Sequence, residues 1–158
     1  TPRLFYPNDL ITRAEYLTLL VRAYGLEQEG AKCTFEDVPK GAWFHDTVAS
    51  AYVLGLTQGV SEDSFGAEEP IKREDLCVLA YKAMLLTGVA LDNGISAGMK
   101  FSDSEDIDDY AREAVDTLCG LGAVNGMGDG RFAPFETATR AQAAKIIYAV
   151  LGITEGEV

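Results

Sequence analysis

Arg13, Arg73 and Arg140 each stand eight residues after a phenylalanine (Phe5, Phe65 and Phe132), and each opens an amphipathic helical stretch. A guanidinium at a helix start is electrostatically out of place. The unpaired N–H groups there carry partial positive charge, and an exposed cation beside them costs about 0.3–1 kcal/mol. An anion bound at the same spot would reverse that cost, since helix end and guanidinium would both favour it. The planar fork of arginine suits a carboxylate in particular, through two parallel N–H···O bonds. The competing use of such a residue is structural: each arginine pairs with an acid of the adjoining unit and locks the array.

The elements that place these arginines repeat with them. Phe35-Glu36-Asp37 precedes Trp43, a helical stretch over 45–56, Gly59 and Phe65; Phe101-Ser102-Asp103 precedes Tyr110, a stretch over 110–123, Gly126 and Phe132. Each unit therefore reads as Phe-x-Asp, aromatic, helix, glycine loop, Phe, arginine helix, and a period of this size marks stacked similar units. Thr12 with Glu15 and Thr139 with Gln142 have capping-box spacing, whereas Lys72 takes the threonine's place in the middle copy. Leu17, Leu20, Val21 and Tyr24 form one apolar stripe, matched by Ala144, Ile147, Tyr148 and Leu151. Gly25 and Gly152 are expected to end the outer two helices and Thr87-Gly88 the middle one. The loop Asn125-Gly126-Met127-Gly128-Asp129-Gly130 has the backbone freedom for a tight turn or a close approach to ligand. Segments 26–34 and 88–100 link the units, and Thr154 to Val158 reads as a frayed tail.

The first copy begins just before Phe5, so its Phe-x-Asp segment and first helix are missing. The chain divides into the second half of one module (1–26) and two whole ones (33–88 and 99–152), all in a single domain, 1–158. An incomplete unit leaves an apolar face open, because stacked repeats bury their cores against one another. Residues removed upstream, another segment, or self-association with a second subunit would supply the missing helix.

Composition narrows the function classes. A chain of 158 residues with 47% hydrophobic content buries a core unaided. Its net charge of −12 argues against nucleic acid or anionic membrane surfaces as partners, because both need a basic face. No apolar run approaches the roughly 18 residues of a membrane span, so membrane insertion is not expected. Cys33, Cys77 and Cys119 are odd in number and widely spaced, which excludes a complete disulfide framework or a CxxC metal knuckle; Cys77 and Cys119 are read as small packing residues. His45 is the lone histidine, no nucleophile–base–orienter set can be assembled, and an enzyme is not expected. The run from Asp103 to Asp109 lacks the glycine and glutamate of a calcium loop and reads as solvated acids, so neither metal nor cofactor is assigned.

Taken together, Phe35-Glu36-Asp37-Val38, Trp43, Gly128-Asp129-Gly130-Arg131-Phe132 with Pro134, and Ile11-Thr12-Arg13-Ala14-Glu15 with its variants at 71–75 and 138–142 closely resemble the S-layer homology (SLH) family. The likeness spans about residues 4–152. It implies a mostly α-helical, pseudo-threefold array of helix–loop–helix modules, here with the first incomplete, that holds bacterial surface proteins non-covalently on the cell wall. The implied ligand is an anionic secondary cell-wall polysaccharide, commonly bearing pyruvate ketals, bound in grooves between modules. Carried over, the motif residues are Arg13, Arg73 and Arg140 with Thr12, Lys72, Thr139, Glu15 and Gln142, and the module-opening Asp37 with Trp43 and Asp103 with Tyr110. Gly126 and Gly128 of the glycine loop complete the candidate ligand-binding set. Lys72 in place of Thr, Asp75 and Gln142 in place of Glu, and Tyr110 in place of Trp depart from the pattern, leaving the Arg13 groove nearest to it. The rival function is a structural or protein–protein interaction module of the same fold without glycan affinity.

Overall fold

The computed structural model describes residues 4–89 and 100–156, within which five α-helices form and no strand does. They are α1 (Arg13–Ala23), α2 (His45–Val53), α3 (Arg73–Leu86), α4 (Asp109–Gly120) and α5 (Arg140–Glu155), with one 3-10 turn at Ser104–Asp106. Most of the glycine-rich link at 88–100 lies outside the described residues.

The three arginine helices start alike. Thr12 and Thr139 each accept the backbone N–H three residues on, while Glu15 and Gln142 accept the threonines' own N–H, so both capping boxes form. Lys72 has the same extended backbone but gives α3 no side-chain cap. α1 ends at Tyr24 before Gly25, and α3 at Thr87 before Gly88; both glycines are left-handed, with φ of 61° and 75°. The last helix departs from expectation. Gly152 lies inside α5, which continues to Glu155 and stops at Gly156, φ 74°. A helix-interior glycine costs about 1 kcal/mol relative to alanine; here buried Val150 before it and Ile153, packed on the core, after it hold the last turn. Thr154 and Glu155 are thus helical, not a tail, and residues 157–158 lie outside the described residues.

The arginine helices meet around one centre. Ile11 N–H donates to Ala138 O (3.1 Å), Ala138 N–H to Ile71 O (2.9 Å), and Ile71 N–H to Ile11 O (3.0 Å), which closes a three-membered ring of backbone hydrogen bonds. Isolated bridges Leu10–Thr139, Thr12–Pro70 and Lys72–Thr137 flank it. All three ring residues are buried, so no water competes for these groups.

α2 packs on α1, and α4 on α3. Thr18 and Thr47 share a hydroxyl bond across the first pair, and Tyr81 donates to Glu113 across the second. α5 meets α3 and α1, but no described helix covers its outer side. Ala144 is exposed where its counterparts Leu17 and Cys77 are buried, and Tyr148 is 83% exposed where Val21 is buried.

Cys77 and Cys119 are free and buried in the shared core, as their reading as packing residues requires. Burial, the largest influence, and the nearby Asp116 push the Cys119 thiol up to about 11, against the opposing pull of Arg73.

Candidate functional site

Each arginine reaches out of its own unit into the next. Arg13 Nε donates to Phe65 O (3.1 Å), Arg73 Nε to Phe132 O (2.8 Å), and Arg140 Nε to Phe5 O (3.0 Å). The three guanidinium carbons lie 5.3, 5.1 and 5.6 Å from the centres of those same phenylalanine rings, a cation–π geometry. The eight-residue spacing within each copy thus serves contacts between copies.

The helix ends beneath the arginines are filled, which corrects the expectation that an anion would use them. The first two backbone donors of α1, Arg13 and Ala14 N–H, go to Glu69 O and Ala67 O. Those of α3 (Arg73, Glu74) go to Glu136 O and Pro134 O, and those of α5 (Arg140, Ala141) to Asp9 O and Pro7 O. Loop carbonyls of the neighbouring unit therefore stand where an anion would have to bind. What remains for a ligand is the side chain.

The far edges of the guanidinium groups differ. Arg13 Nη1 meets Asp75 Oδ2 at 3.0 Å and Arg140 Nη1 meets Glu15 Oε1 at 3.1 Å. Asp75 and Glu15 occupy one position, the third residue of the arginine helix in the adjoining unit. For Arg73 that position holds Gln142, and Arg73 has no ion pair among the described residues. Its Nη2 turns to Asn125 O at 3.3 Å instead. Only 6% of Arg73 is exposed, and burial, the dominant influence, pulls its guanidinium below the ordinary arginine value, with Cys77, Glu136, Cys119 and Asp103 opposing from a distance.

Two equivalent clefts lie beside these side chains. One, of about 250 Å3, is lined by Arg13, Thr57, Gln58, Gly59, Asp75, Val78, Lys82 and Tyr110, among others. The other, of about 200 Å3, is lined by Arg73, Asn125, Gly126, Met127, Gln142, Lys145 and Ile146, with Ala123 and Val124. Gln58, Gly59, Asp75 and Val78 of the first correspond to Asn125, Gly126, Gln142 and Lys145 of the second.

The remaining candidates fall in several places. Thr12 and Thr139 spend their side chains on caps, and Lys72 lies over the Phe135 ring at 5.2 Å. Asp37 accepts Phe65, Gly66 and Ala67 N–H, and Asp103 accepts Phe132 and Ala133 N–H. Burial, the largest single influence on each carboxyl, would raise it, but these backbone donors together outweigh it and hold both below the usual range. Tyr110 lines the Arg13 cleft, contributed by α4 to the groove of the preceding unit; Trp43 is exposed, edge-on to Phe44. Gly126 lines its cleft, but packing demands it: an added Cβ would sit 2.6 Å from Arg131 O and 2.7 Å from the Phe101 ring. Gly128 takes φ 91° in the loop beyond. Sequence reasoning missed Lys145, Asn125 and Gln58. Each lines its cleft only through the packing of one copy against the next, which spacing within a copy does not reveal.

The S-layer homology domain profile matches residues 34–77 and 100–144, more than half the chain. The chain belongs to the S-layer homology family. The two matches fall on the two copies that carry Phe35 and Phe101, and relatives extend over the rest. It is 34% identical over 151 residues, 96% of its length, to an amylopullulanase of Thermoanaerobacterium thermosulfurigenes, of which this is 8%. It is 24% identical over 91% of its length to a cellulosome-anchoring protein of Acetivibrio thermocellus (32% of that protein), and 32% identical over 91% to the S-layer protein sap of Bacillus anthracis (17% of that protein). The chain thus spans a small part of these relatives. As an SLH chain with surface-layer relatives, it is placed at the bacterial cell surface.

Proposed function

We propose that this chain fastens a surface protein to the cell wall by binding an anionic secondary cell-wall polysaccharide, pyruvate-bearing sugars included, in the grooves between its modules. The observation that carries this reading is a buried guanidinium lining an open cleft at an inter-module junction, in a chain of the SLH family. Arginine supplies the carboxylate-matching fork, and Tyr110 in the Arg13 cleft offers a ring against which a sugar face can lie. The working units are 33–88 and 99–152, joined by the half-module 1–26. Each cleft is small and open to water, so affinity per site is modest. A long polymer that engages more than one cleft gains avidity, because later contacts are intramolecular.

A second reading has its own support. Arg13 and Arg140 are paired with acids of neighbouring units, as residues locking an interaction module would be. Co-sedimentation with isolated wall sacculi, before and after chemical removal of the attached polymer, separates the two. Anchoring requires binding that disappears with the polymer and is competed by pyruvylated sugars. Equal sedimentation with stripped sacculi, or none with either, rules it out.

A further inference from the structure

We infer that Glu74 is a proton-operated positioning residue for Tyr110, and that its charge state sets how firmly the aromatic wall of the Arg13 cleft is held and how strongly that cleft repels an anionic polymer. This rests on the glycan-binding reading and adds to it a control that belongs to the middle copy alone.

Position 74 is where the copies part. Its counterparts in the other two arginine helices are Ala14 and Ala141, whereas α3 places there a carboxyl with none of its surface exposed. Glu74 accepts Asp108 N–H at 3.2 Å and the Tyr110 hydroxyl at 3.3 Å, and it has no ion pair among the described residues. The groups facing it are acids or neutral: Asp108 and Tyr110 from the start of α4, Asp75 beside it and Cys77 a turn on. The cations of the region are engaged elsewhere. Arg13 of α1 holds Asp75, Arg73 turns to Phe132 O and Asn125 O, and Lys82 lines the cleft. Burial, the largest influence, and the charges of Asp108 and Asp75 hold the Glu74 carboxyl above its usual 4.5, against the pull of its two hydrogen bonds.

The phenol has one proton and two acids to serve. Tyr110 O–H lies 2.7 Å from Asp75 Oδ1 and 3.3 Å from Glu74 Oε1, so an ionised Glu74 competes with Asp75 for it. A protonated Glu74 turns from acceptor into donor. Its hydroxyl then gives to the phenolic oxygen while the phenol gives to Asp75, whose other oxygen holds Arg13. The groups form one directional chain from Glu74 through Tyr110 and Asp75 to Arg13, each bond polarising the next. Two changes reach the cleft together. Tyr110, which lines it, is held by two hydrogen bonds, and one negative charge disappears beside it. Both favour an anionic polymer lying against the ring. The grooves whose adjoining helices carry Ala14 and Ala141 lack this control.

The test follows three NMR signals through a pH titration of the whole chain: the Glu74 carboxyl carbon, the Tyr110 carbon that bears the hydroxyl, and the Arg13 Nε–Hε pair. They should move together with one midpoint above 4.5. Glu74→Gln, a neutral donor of the same shape, should hold Tyr110 and Arg13 at their low-pH positions throughout that window. Should the glutamine variant not fold, Glu74→Ala puts at this position what α1 and α5 already carry. It should erase the transition without reproducing the low-pH positions. Sedimentation with wall sacculi should rise by about threefold or more as pH falls through the midpoint, and Glu74→Gln should reach the low-pH value at neutral pH. Tyr110 and Arg13 signals that stay still while Glu74 titrates, or that keep their transition in the variants, overturn the assignment. So does a Glu74 midpoint at or below 4.5, or sedimentation that ignores pH while the signals move. A joint transition with no sedimentation at any pH defeats wall anchoring and leaves the latch; sedimentation with no joint transition does the reverse.

Discussion

The Tyr110 hydroxyl donates to Asp75 Oδ1 at 2.7 Å, while the other oxygen of the same carboxylate holds Arg13. The phenol also reaches Glu74 Oε1 at 3.3 Å, so α4 is tied to the first turn of α3 through two acids. Burial first, then the two carboxylates, drive the phenol well above its ordinary value and keep it a donor.

Tyr110→Phe removes the hydroxyl and little else. The fully buried Glu74 would then keep only Asp108 N–H as a partner across the α3–α4 seam. We expect a loss of about 1–2 kcal/mol in urea unfolding, falling by half or more when Asp75→Ala, which removes the nearer acceptor, is already present. Additive losses would show that the pair is not coupled.

Stability should pass through a maximum in mild acid. Burial is the largest influence on Glu74 and holds its carboxyl above the usual 4.5, so between that value and its folded value the native state binds more protons than the unfolded one. Stability therefore rises as pH falls through that window. Asp37 and Asp103 lie below 3.8, so their contribution is complete above 3.8 and is lost as pH falls further. Urea midpoints measured from neutral pH downward should rise and then fall. Glu74→Gln should abolish the rise, and Asp37→Asn should blunt the fall.

The glycines under the loops should resist substitution. At Gly59 (φ 79°) an added Cβ would lie 2.5 Å from both Ser64 O and the Phe35 ring, and at Gly126 the clashes are with Arg131 O and Phe101. Gly59→Ala and Gly126→Ala should each cost about 1–3 kcal/mol in thermal unfolding. Gly128→Ala, with nothing within 4 Å of its Cβ, carries only the backbone strain of its positive φ and should cost about 1 kcal/mol.

Removing the capping hydroxyls tests the local design. Thr12→Ala and Thr139→Ala should each lose about 1 kcal/mol by chemical denaturation. Losses below a few tenths would mean that the loop carbonyls of neighbouring units already hold the helix starts.

What could be read from the residues was what lies close along the chain. Capping boxes at Thr12 and Thr139, the apolar stripe of α1 and the ends at Gly25 and Gly88 depend on neighbours within a few positions. The contacts that define the site span 52 to 135 residues: Arg13 with Phe65 and Asp75, Arg73 with Phe132 and Asn125, Arg140 with Glu15 and Phe5. The repeat placed each arginine but gave no register between copies, so nothing indicated that position 142 faces Arg73. The filled helix ends were hidden for the same reason, since their acceptors are backbone carbonyls that every residue type carries. Gly152 misled because the packing of its flanks, not its own preference, decides where α5 stops.

The closed circle of Ile11, Ala138 and Ile71 has a mechanical corollary. In an open stack the end repeat can peel away while its neighbours stay folded. Here each arginine helix is gripped on two sides, so detaching any one breaks two of the three central bonds together with an arginine–phenylalanine clasp. A tug on the tethered protein would meet one cooperative rupture instead of a sequence of small yields, a property suited to a fastener under flow.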